Sequence, residues 1–213
     1  MTYYYGPKEA LYYAIHIIKG RWSEGEPIIL TDPQCACSYA KHIIKGRWSE
    51  GEPIISTDPQ EAFYYAKHII KDRWPEGEPI ILQSVYYSYK YARCVIRGRW
   101  LEAEPIILAS PQWAYHYAID IIKRRWKKAE SIILNDSYWA CHYARDIIKG
   151  RWPEGELIFA TDPERAYYYA RYVIKSRWRQ AENVISGSVF WQNYCNHFGI
   201  ELPKKTNWSK EGF

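Results

Sequence analysis

Three histidines recur at one fixed spacing, and histidine is a common metal ligand. They are His16, His42 and His68, which lie 26 residues apart. A zinc ion needs its nitrogen ligands within about 2.1 Å, whereas packed helices lie roughly 8–10 Å apart. If each histidine belongs to a separate helix, this spacing predicts that the three do not share a metal ion.

Two carboxylates, Asp120 and Asp146, continue the same spacing later in the chain. A pair of carboxylates can serve acid–base chemistry, but no Gly-rich phosphate loop or metal motif accompanies this pair. The five cysteines are odd in number and include no CxxC pair, which disfavours a disulfide framework or a zinc site. We therefore expect no enzymatic activity, no metal and no cofactor, and a reducing cytoplasmic setting.

The elements that carry these residues are seven near-copies of one 26-residue unit. The dipeptide Arg-Trp starts at 21, 47, 73, 99, 125, 151 and 177, and Tyr-Ala starts at 13, 39, 65, 91, 117, 143 and 169. A glutamate keeps the same step from Glu26 to Glu182. A repeat without insertions at this period is typical of a solenoid.

Each unit contains the signals of one long helix. An Asp, Ser or Gly stands at the predicted start, commonly followed by proline, and both residue types suit a helix N-terminus. In the second copy the apolar residues at 36, 39, 40, 43 and 44 form one helical stripe. Gly46 and its counterparts favour a helix end at that place. Pro79 indicates that the segment after Arg73-Trp74 holds only a brief or broken helix.

These signals predict an all-α fold, an α-solenoid of seven 26-residue repeats, each with a long helix and a short helical segment. The repeats fill residues 1–187 as a single domain, a capping helix follows at 188–198, and residues 199–213 form an extended tail. So small a unit cannot enclose a core of its own. Its fixed apolar residues must therefore pack against the adjacent copies.

The residues that recur in every copy are interpreted as structural. In the second copy they are Tyr39, Ala40, Arg47, Trp48 and Glu52. A catalytic residue is needed once, whereas a residue that holds neighbouring repeats together is needed each time. We expect the recurring arginine and glutamate to pair or to cap helix ends.

Places that vary between copies are the candidates for specificity. Aromatic and histidine residues accumulate there in the middle of the chain, and such residues are common anchors of protein interfaces. The predicted partner-binding residues are Tyr87, Tyr89, Trp113, Tyr115, His116, Trp139 and His142. One alternative stays open: the place that holds Tyr89 and Tyr115 lines the core between repeats instead.

The charge of the chain permits a second kind of partner. The net charge is +5, and a basic residue stands at 19, 45, 71, 97, 123, 149 and 175, two residues before the recurring arginine. Such a row of Lys and Arg could follow a nucleic-acid backbone, although glutamates such as Glu50 and Glu76 would offset its field. No apolar run reaches the ~18 residues of a membrane helix, and the first residues do not resemble a signal peptide.

The motif Gly-Arg-Trp-Pro-Glu-Gly-Glu at 150–156, after Tyr-Ala-Arg-Asp-Ile-Ile-Lys at 143–149, resembles a known class of repeat. The class comprises short tandem repeats of bacteriophages and large DNA viruses, with an RWPEAE-type motif between helices that contain Tyr-Ala. The resemblance spans about residues 7–186, and copies with Ser131, Leu157 or Asn183 in place of proline differ only at the turn. It implies a viral origin and a helical array, and it implies no activity.

Together these features predict a non-enzymatic binding or scaffold protein that uses its variable aromatic face to bind a protein, a host factor if the origin is viral. Two alternatives remain. One is a nucleic-acid-binding repeat protein that uses the Lys/Arg row, and the other is a virion or assembly component. Exposed Tyr and Trp also leave self-association open.

Overall fold

The computed structural model describes residues 6–201, and every regular element in that range is a helix. The helices recur with a 26-residue period, so the all-α repeat solenoid predicted from the sequence is confirmed. We number the repeats 1 to 7 from their first residues, which are Gly6, Asp32, Asp58, Ser84, Ser110, Asp136 and Asp162. Two compact units divide the chain between Lys123 and Arg124. Residues 202–213, most of the predicted tail, lie outside the described range.

Each long helix begins as an α-helix of seven residues. The α-helical parts are Pro7–Tyr13, Pro33–Tyr39, Pro59–Tyr65, Val85–Tyr91, Pro111–Tyr117, Ser137–Tyr143 and Pro163–Tyr169. Their starts follow the capping logic of the sequence, since the Asp58 carboxylate accepts hydrogen bonds from the backbone N–H groups of Gln60 and Glu61.

The long helix then widens into a π-helix for its last five residues. These parts are Ala14–Ile18, Ala40–Ile44, Ala66–Ile70, Ala92–Ile96, Ala118–Ile122, Ala144–Ile148 and Ala170–Ile174. The widening is visible at Lys71, whose backbone N–H donates to the carbonyl of Ala66, five residues earlier, at 2.7 Å. Single π-helical turns of this kind are rare and often mark functional sites.

The long helix does not end on the glycine that the sequence predicts. Gly46 and its counterparts do not take the left-handed conformation, which falls instead on the basic residue before them. That residue has φ between 56° and 63° in all seven repeats: Lys19, Lys45, Lys71, Arg97, Lys123, Lys149 and Lys175. A side chain in this conformation costs roughly 1–2 kcal/mol relative to the right-handed one, so each repeat ends its long helix on a strained cation.

Proline decides the length of the short helix. In repeats 1 to 4 a proline stands in its first turn and the helix has four residues: Glu26–Ile29, Glu52–Ile55, Glu78–Ile81 and Glu104–Ile107. Ser131 and Leu157 replace proline in repeats 5 and 6, and the helices lengthen to Lys127–Ile133 and Pro153–Phe159. Repeat 7 has a 3₁₀ turn, Arg179–Ala181, and then Glu182–Ser186. Removing the restraint on the residue before proline lets the helix start a turn earlier.

A tyrosine hydroxyl joins each repeat to the next. The hydroxyl of Tyr65 accepts a hydrogen bond from the backbone N–H of Trp48 at 2.7 Å and donates to the Glu52 carboxylate at 3.0 Å. Arg47 pairs with that carboxylate at 2.6 Å. Tyr65 is 0% and Trp48 1% exposed, so this polar junction lies inside an apolar core. The tryptophan-to-tyrosine bond recurs along the chain at 2.6–2.8 Å.

The capping helix satisfies the last of these junctions. It spans Trp191–Phe198 rather than starting at 188, because residues 188–190 form a turn. The backbone N–H of Trp178 donates to the hydroxyl of Tyr194, sixteen residues away instead of the usual seventeen. Gly199 closes the helix in the left-handed conformation, which glycine adopts without cost.

The junction predicts a specific loss of stability. Tyr65→Phe removes the hydroxyl and leaves the buried N–H of Trp48 without its acceptor, so the free energy of unfolding should fall by about 1–3 kcal/mol. Tyr64→Phe is the matched control, because Tyr64 is 41% exposed. Urea unfolding followed by circular dichroism measures both. Equal stabilities of the two variants would contradict the role of the hydroxyl.

The strained helix end predicts that one substitution raises the stability of the fold. Lys45→Gly relieves the left-handed side chain and should raise the free energy of unfolding by about 0.5–1 kcal/mol, after the entropy cost of glycine is deducted. Lys41→Gly, one turn earlier inside the helix, should instead lower it by about 1 kcal/mol. Thermal unfolding of the two variants beside the parent gives the signs, and a loss at Lys45 would contradict the argument.

Candidate functional site

The recurring residues lie at the contacts between repeats. Tyr39 and Ala40 are 0% exposed, and Trp48 is buried. The arginines and glutamates pair within each repeat at 2.6–2.9 Å. Glu50 and Glu76 reach the same arginines from the following repeat, since Arg21 contacts Glu50 at 3.3 Å and Arg47 contacts Glu76 at 3.8 Å. The arginines therefore have carboxylate partners already.

Two of the predicted partner-binding residues lie in the core. Tyr89 is 3% and Tyr115 8% exposed, and Phe63 and Tyr167 at the same place in other repeats are 4% exposed. This place lines the packing between repeats, which is the alternative left open above. Neither tyrosine offers its ring surface to a partner.

Tyr89 instead joins a charge network whose Arg93 and Asp120 side chains are 51% and 26% exposed. Its hydroxyl donates to the Asp120 carboxylate and accepts from Arg93 at 2.9 Å, and Arg93 lies 3.3 Å from the same carboxylate. Burial, with Asp120 beside it, raises the pKa of Tyr89 to about 12. The Asp120 carboxylate thus serves the contact between repeats 4 and 5, which leaves it poorly placed for acid–base chemistry.

A partly exposed aromatic cluster, in which Tyr86 is the exposed ring, surrounds this point in the first unit. We call it the central aromatic patch, and it comprises Tyr86, Tyr87, Trp113 and His116. Trp113 meets the edge of Tyr86 at 5.4 Å between ring centroids and lies 5.6 Å from His116. Tyr87 donates its hydroxyl to the Gln60 side chain of repeat 3 at 2.6 Å. Neighbours on both sides therefore hold the rings in place.

A second aromatic site lies in the other unit, between the long helices of repeats 6 and 7. We call it the tyrosine pocket; its lining residues are Tyr138, Cys141, His142, Arg145, Glu164, Arg165, Tyr168, Tyr172 and Val173. Tyr138 is 43% and Tyr172 41% exposed at the rim. The buried Cys141 forms part of the floor, and burial raises its thiol pKa to about 11.

An arginine is clamped inside the tyrosine pocket. The guanidinium of Arg165 lies 5.1 Å from the centroid of Tyr138 and 5.8 Å from that of Tyr168, within cation–π range. It also pairs with Glu164 at 2.7 Å. Trp139, predicted as a binding residue, packs edge-on against Tyr138 at 4.8 Å. The pocket therefore combines packed rings with an arginine whose charge is already paired with Glu164.

Sequence reasoning missed Tyr86 and Tyr138, the most exposed rings of the two sites. Each stands one residue before a predicted partner-binding residue, Tyr87 or Trp139. At the position of Tyr86 and Tyr138, other repeats have Lys8, Gln34 or Glu164. Variation at that place was the available signal. An exposed position that holds lysine in one repeat and tyrosine in another is as good a candidate for specificity as the variable position that follows it.

The cysteines and the other potential metal ligands of the described residues do not form a cluster. Within residues 6–201 no group of three or more His, Cys, Asp or Glu side chains is arranged to hold a metal ion. Burial raises the thiol pKa of Cys35 and of Cys37 to about 12, which keeps both protonated and unreactive. Across the same residues no helix has the length and apolarity to cross a membrane.

The histidine of the tyrosine pocket predicts a pH effect on stability. Burial, followed by the charge of Arg145, lowers the pKa of His142, so the folded state favours its neutral form. Stability should therefore fall as pH drops below ~6.5, because the unfolded chain takes up the proton more readily. The slope from one such histidine is at most about 1.4 kcal/mol per pH unit.

His142→Gln should flatten this part of the curve, whereas His42→Gln, at an exposed position, should change it less. Urea unfolding at a series of pH values between about 5 and 8 measures the slope. An unchanged slope in the His142 variant would show that the ring is not held neutral.

No family model, curated protein or solved structure matches this chain. The resemblance to viral tandem repeats and the cytoplasmic location accordingly stay predictions. What the chain does has to be inferred from the two aromatic sites and from the charges around them.

Proposed function

We propose that this chain is a non-enzymatic binding protein whose long helices present rigid aromatic rings to a protein partner. The observation that carries the proposal is that the same helix place leaves a tyrosine 41–43% exposed in each unit, Tyr86 in one and Tyr138 in the other. Large rings are rarely left this open without a reason when several of them cluster. Repeat proteins commonly bind through such surfaces.

The packing around the rings favours binding over mere exposure. Tyr86 is held by Tyr87 at 4.9 Å and by Trp113, and Tyr138 is held by Trp139 and Arg165. Rings that are already fixed lose little conformational entropy when a partner covers them. Tyr and Trp also offer a hydroxyl or N–H at the edge of an apolar surface, which suits a partly wet interface.

A protein is the partner that this chemistry fits best. Interface anchors are enriched in Tyr, Trp and Arg, and these three residue types meet in the tyrosine pocket and beside it. If the chain is viral in origin, the partner would be a host factor. The shifted pKa values of the tyrosines and cysteines follow from burial and those of the recurring arginines from their glutamate partners, so they do not call for an enzymatic role.

The test is a capture experiment with two patch variants. Tyr86→Ala/Trp113→Ala removes two rings from the central aromatic patch, and Tyr138→Ala/Tyr172→Ala removes two rings from the tyrosine pocket. We expect the parent protein to retain a nuclease-resistant, saturable partner from host-cell lysate. At least one variant should bind that partner about tenfold more weakly, as for the loss of an interface anchor.

The matched control is Leu101→Ala/Leu157→Ala, which removes two apolar side chains that are 65% and 78% exposed away from both sites. The control should bind like the parent, and circular dichroism should show equal helicity in all four proteins. Equal weakening of control and variants, or retention of nuclease-sensitive material alone, would count against a protein partner.

A further inference from the structure

We infer that the C-terminal ends of the long helices in repeats 1 to 4 bind single-stranded nucleic acid. We call this surface the cationic edge; its residues are Lys19, Lys41, Lys45, Lys67, Lys71 and Arg97. The inference concerns a surface other than the two aromatic sites and does not rest on the protein-binding proposal. It follows from the free charges, the strained backbone, the clustering of the cations and the rings beside them.

The cations of this edge have no carboxylate partner within residues 6–201, whereas the other regular row of cations does. All six side chains are exposed, and Lys67 lies 5.6 Å from the centroid of the Phe63 ring. The arginine row from Arg21 to Arg177 has a glutamate partner in every repeat. Two of the glutamates that might offset the edge, Glu50 and Glu76, pair with that arginine row, whereas Glu24 and Glu102 at the same place in repeats 1 and 4 are exposed. The free positive charge of repeats 1 to 4 is thus concentrated at the edge.

The backbone conformation indicates that a cation is required there. Lys19, Lys45, Lys71 and Arg97 sit in the left-handed region, where glycine would relieve the strain. The helix dipole alone does not explain the choice, since Lys41 and Lys67 already place a positive charge in the last turn without strain. The same strain occurs at Lys123, Lys149 and Lys175, so the feature that distinguishes repeats 1 to 4 is the clustering of their cations.

Neighbouring helix ends bring these charges together. The π-helical parts of successive repeats contact each other within this unit. Between repeats 3 and 4 they form a pocket lined by Lys67, His68, Lys71, Cys94, Val95 and Arg97, with no carboxylate among the lining residues. Asp72 is the one acidic residue within 40–46, 66–72 and 92–98. Such a pocket favours phosphate oxygens.

Exposed ring pairs lie beside the cations, which points to single strands. Tyr12 is 62% exposed and lies 4.4 Å from His16, and Tyr64 stacks on His68 at 5.9 Å with 25° between the planes. Tyr64 and His68 line one surface pocket together with Lys41, and His68 also lines the pocket that contains Lys71 and Arg97, so these rings and cations lie side by side. Unpaired bases stack on such rings while the phosphates contact the cations, whereas duplex bases are already stacked.

The main test uses Lys45→Gly/Lys71→Gly/Arg97→Gly. Glycine suits the left-handed positions, so this variant should fold at least as well as the parent while losing three cations. The probes are fluorescein-labelled oligothymidine and oligouridine of about 20 nucleotides, which span several repeats and separate DNA from RNA, with fluorescence anisotropy measured over a salt series. We expect weaker binding and a plot of log K against log salt whose slope is smaller by about 2, at roughly 0.7 per phosphate contact.

Two further variants make the result specific. Lys127→Ala/Lys128→Ala/Arg179→Ala removes the same charge from exposed positions in the other unit and should keep the parent's slope. Tyr12→Ala/Tyr64→Ala should weaken binding and leave the slope unchanged, because the stacking contact is uncharged. The patch variant Tyr86→Ala/Trp113→Ala should bind the oligonucleotides normally, which separates this test from that of the proposed function.

Several outcomes would overturn the inference. They are an absence of binding at the lowest salt, a glycine variant that binds like the parent, and equal losses in the glycine variant and the charge control. A duplex of the same length that binds as tightly as the single strands would also overturn it. Binding of either oligonucleotide that is lost in the glycine variant and kept in the control supports it.

Discussion

The hydroxyl that Tyr65 places between Trp48 and Glu52 represents the constraint on which every repeat depends. A buried backbone N–H must find an acceptor, and here the acceptor comes from the following repeat. The same hydroxyl orients the glutamate, and the glutamate fixes Arg47. One contact therefore sets the register between two repeats and assigns four residue types to structural work. The capping helix keeps this contact through Tyr194 although its spacing is one residue shorter.

This assignment explains where function can lie. The junction uses the recurring arginine, glutamate and tryptophan and the tyrosine of the Tyr-Ala pair, so these residues are not available to a partner. The remaining surface of the long helix can vary without disturbing the junction, because none of its side chains contributes to that network. Repeats can thus differ in aromatic content and charge while their packing stays constant, as in other solenoids. Variation at exposed places can then follow binding, whereas variation at the buried place that holds Tyr89 and Tyr115 must also keep the packing between repeats.

The repeat, the long helix and its starting caps could be predicted from the sequence because each depends on local spacing. The end of the helix could not. An α-helix and a π-helix differ by one residue in hydrogen-bond register, and the run Ala-Lys-His-Ile-Ile-Lys-Gly at 40–46 suits both. Burial was also misjudged at Tyr89, because a solenoid helix is covered on several sides and a single apolar stripe does not reveal the second contact. The opposite error concerns Tyr86, an exposed ring that was not among the predicted binding residues.

The charges divide the surface in a way that the aromatic residues alone do not. Repeats 2 and 3 carry Lys-His in the π-helical part, where repeats 5 and 6 carry Asp120 and Asp146. Arg93 is neutralised by Asp120, so the positive field weakens near the central aromatic patch. Residues 1–123 nevertheless contain 14 basic and 14 acidic residues, whereas residues 124–213 contain 15 and 10. The proposed nucleic-acid surface therefore depends on the local clustering of cations without carboxylate partners and not on the net charge of its repeats.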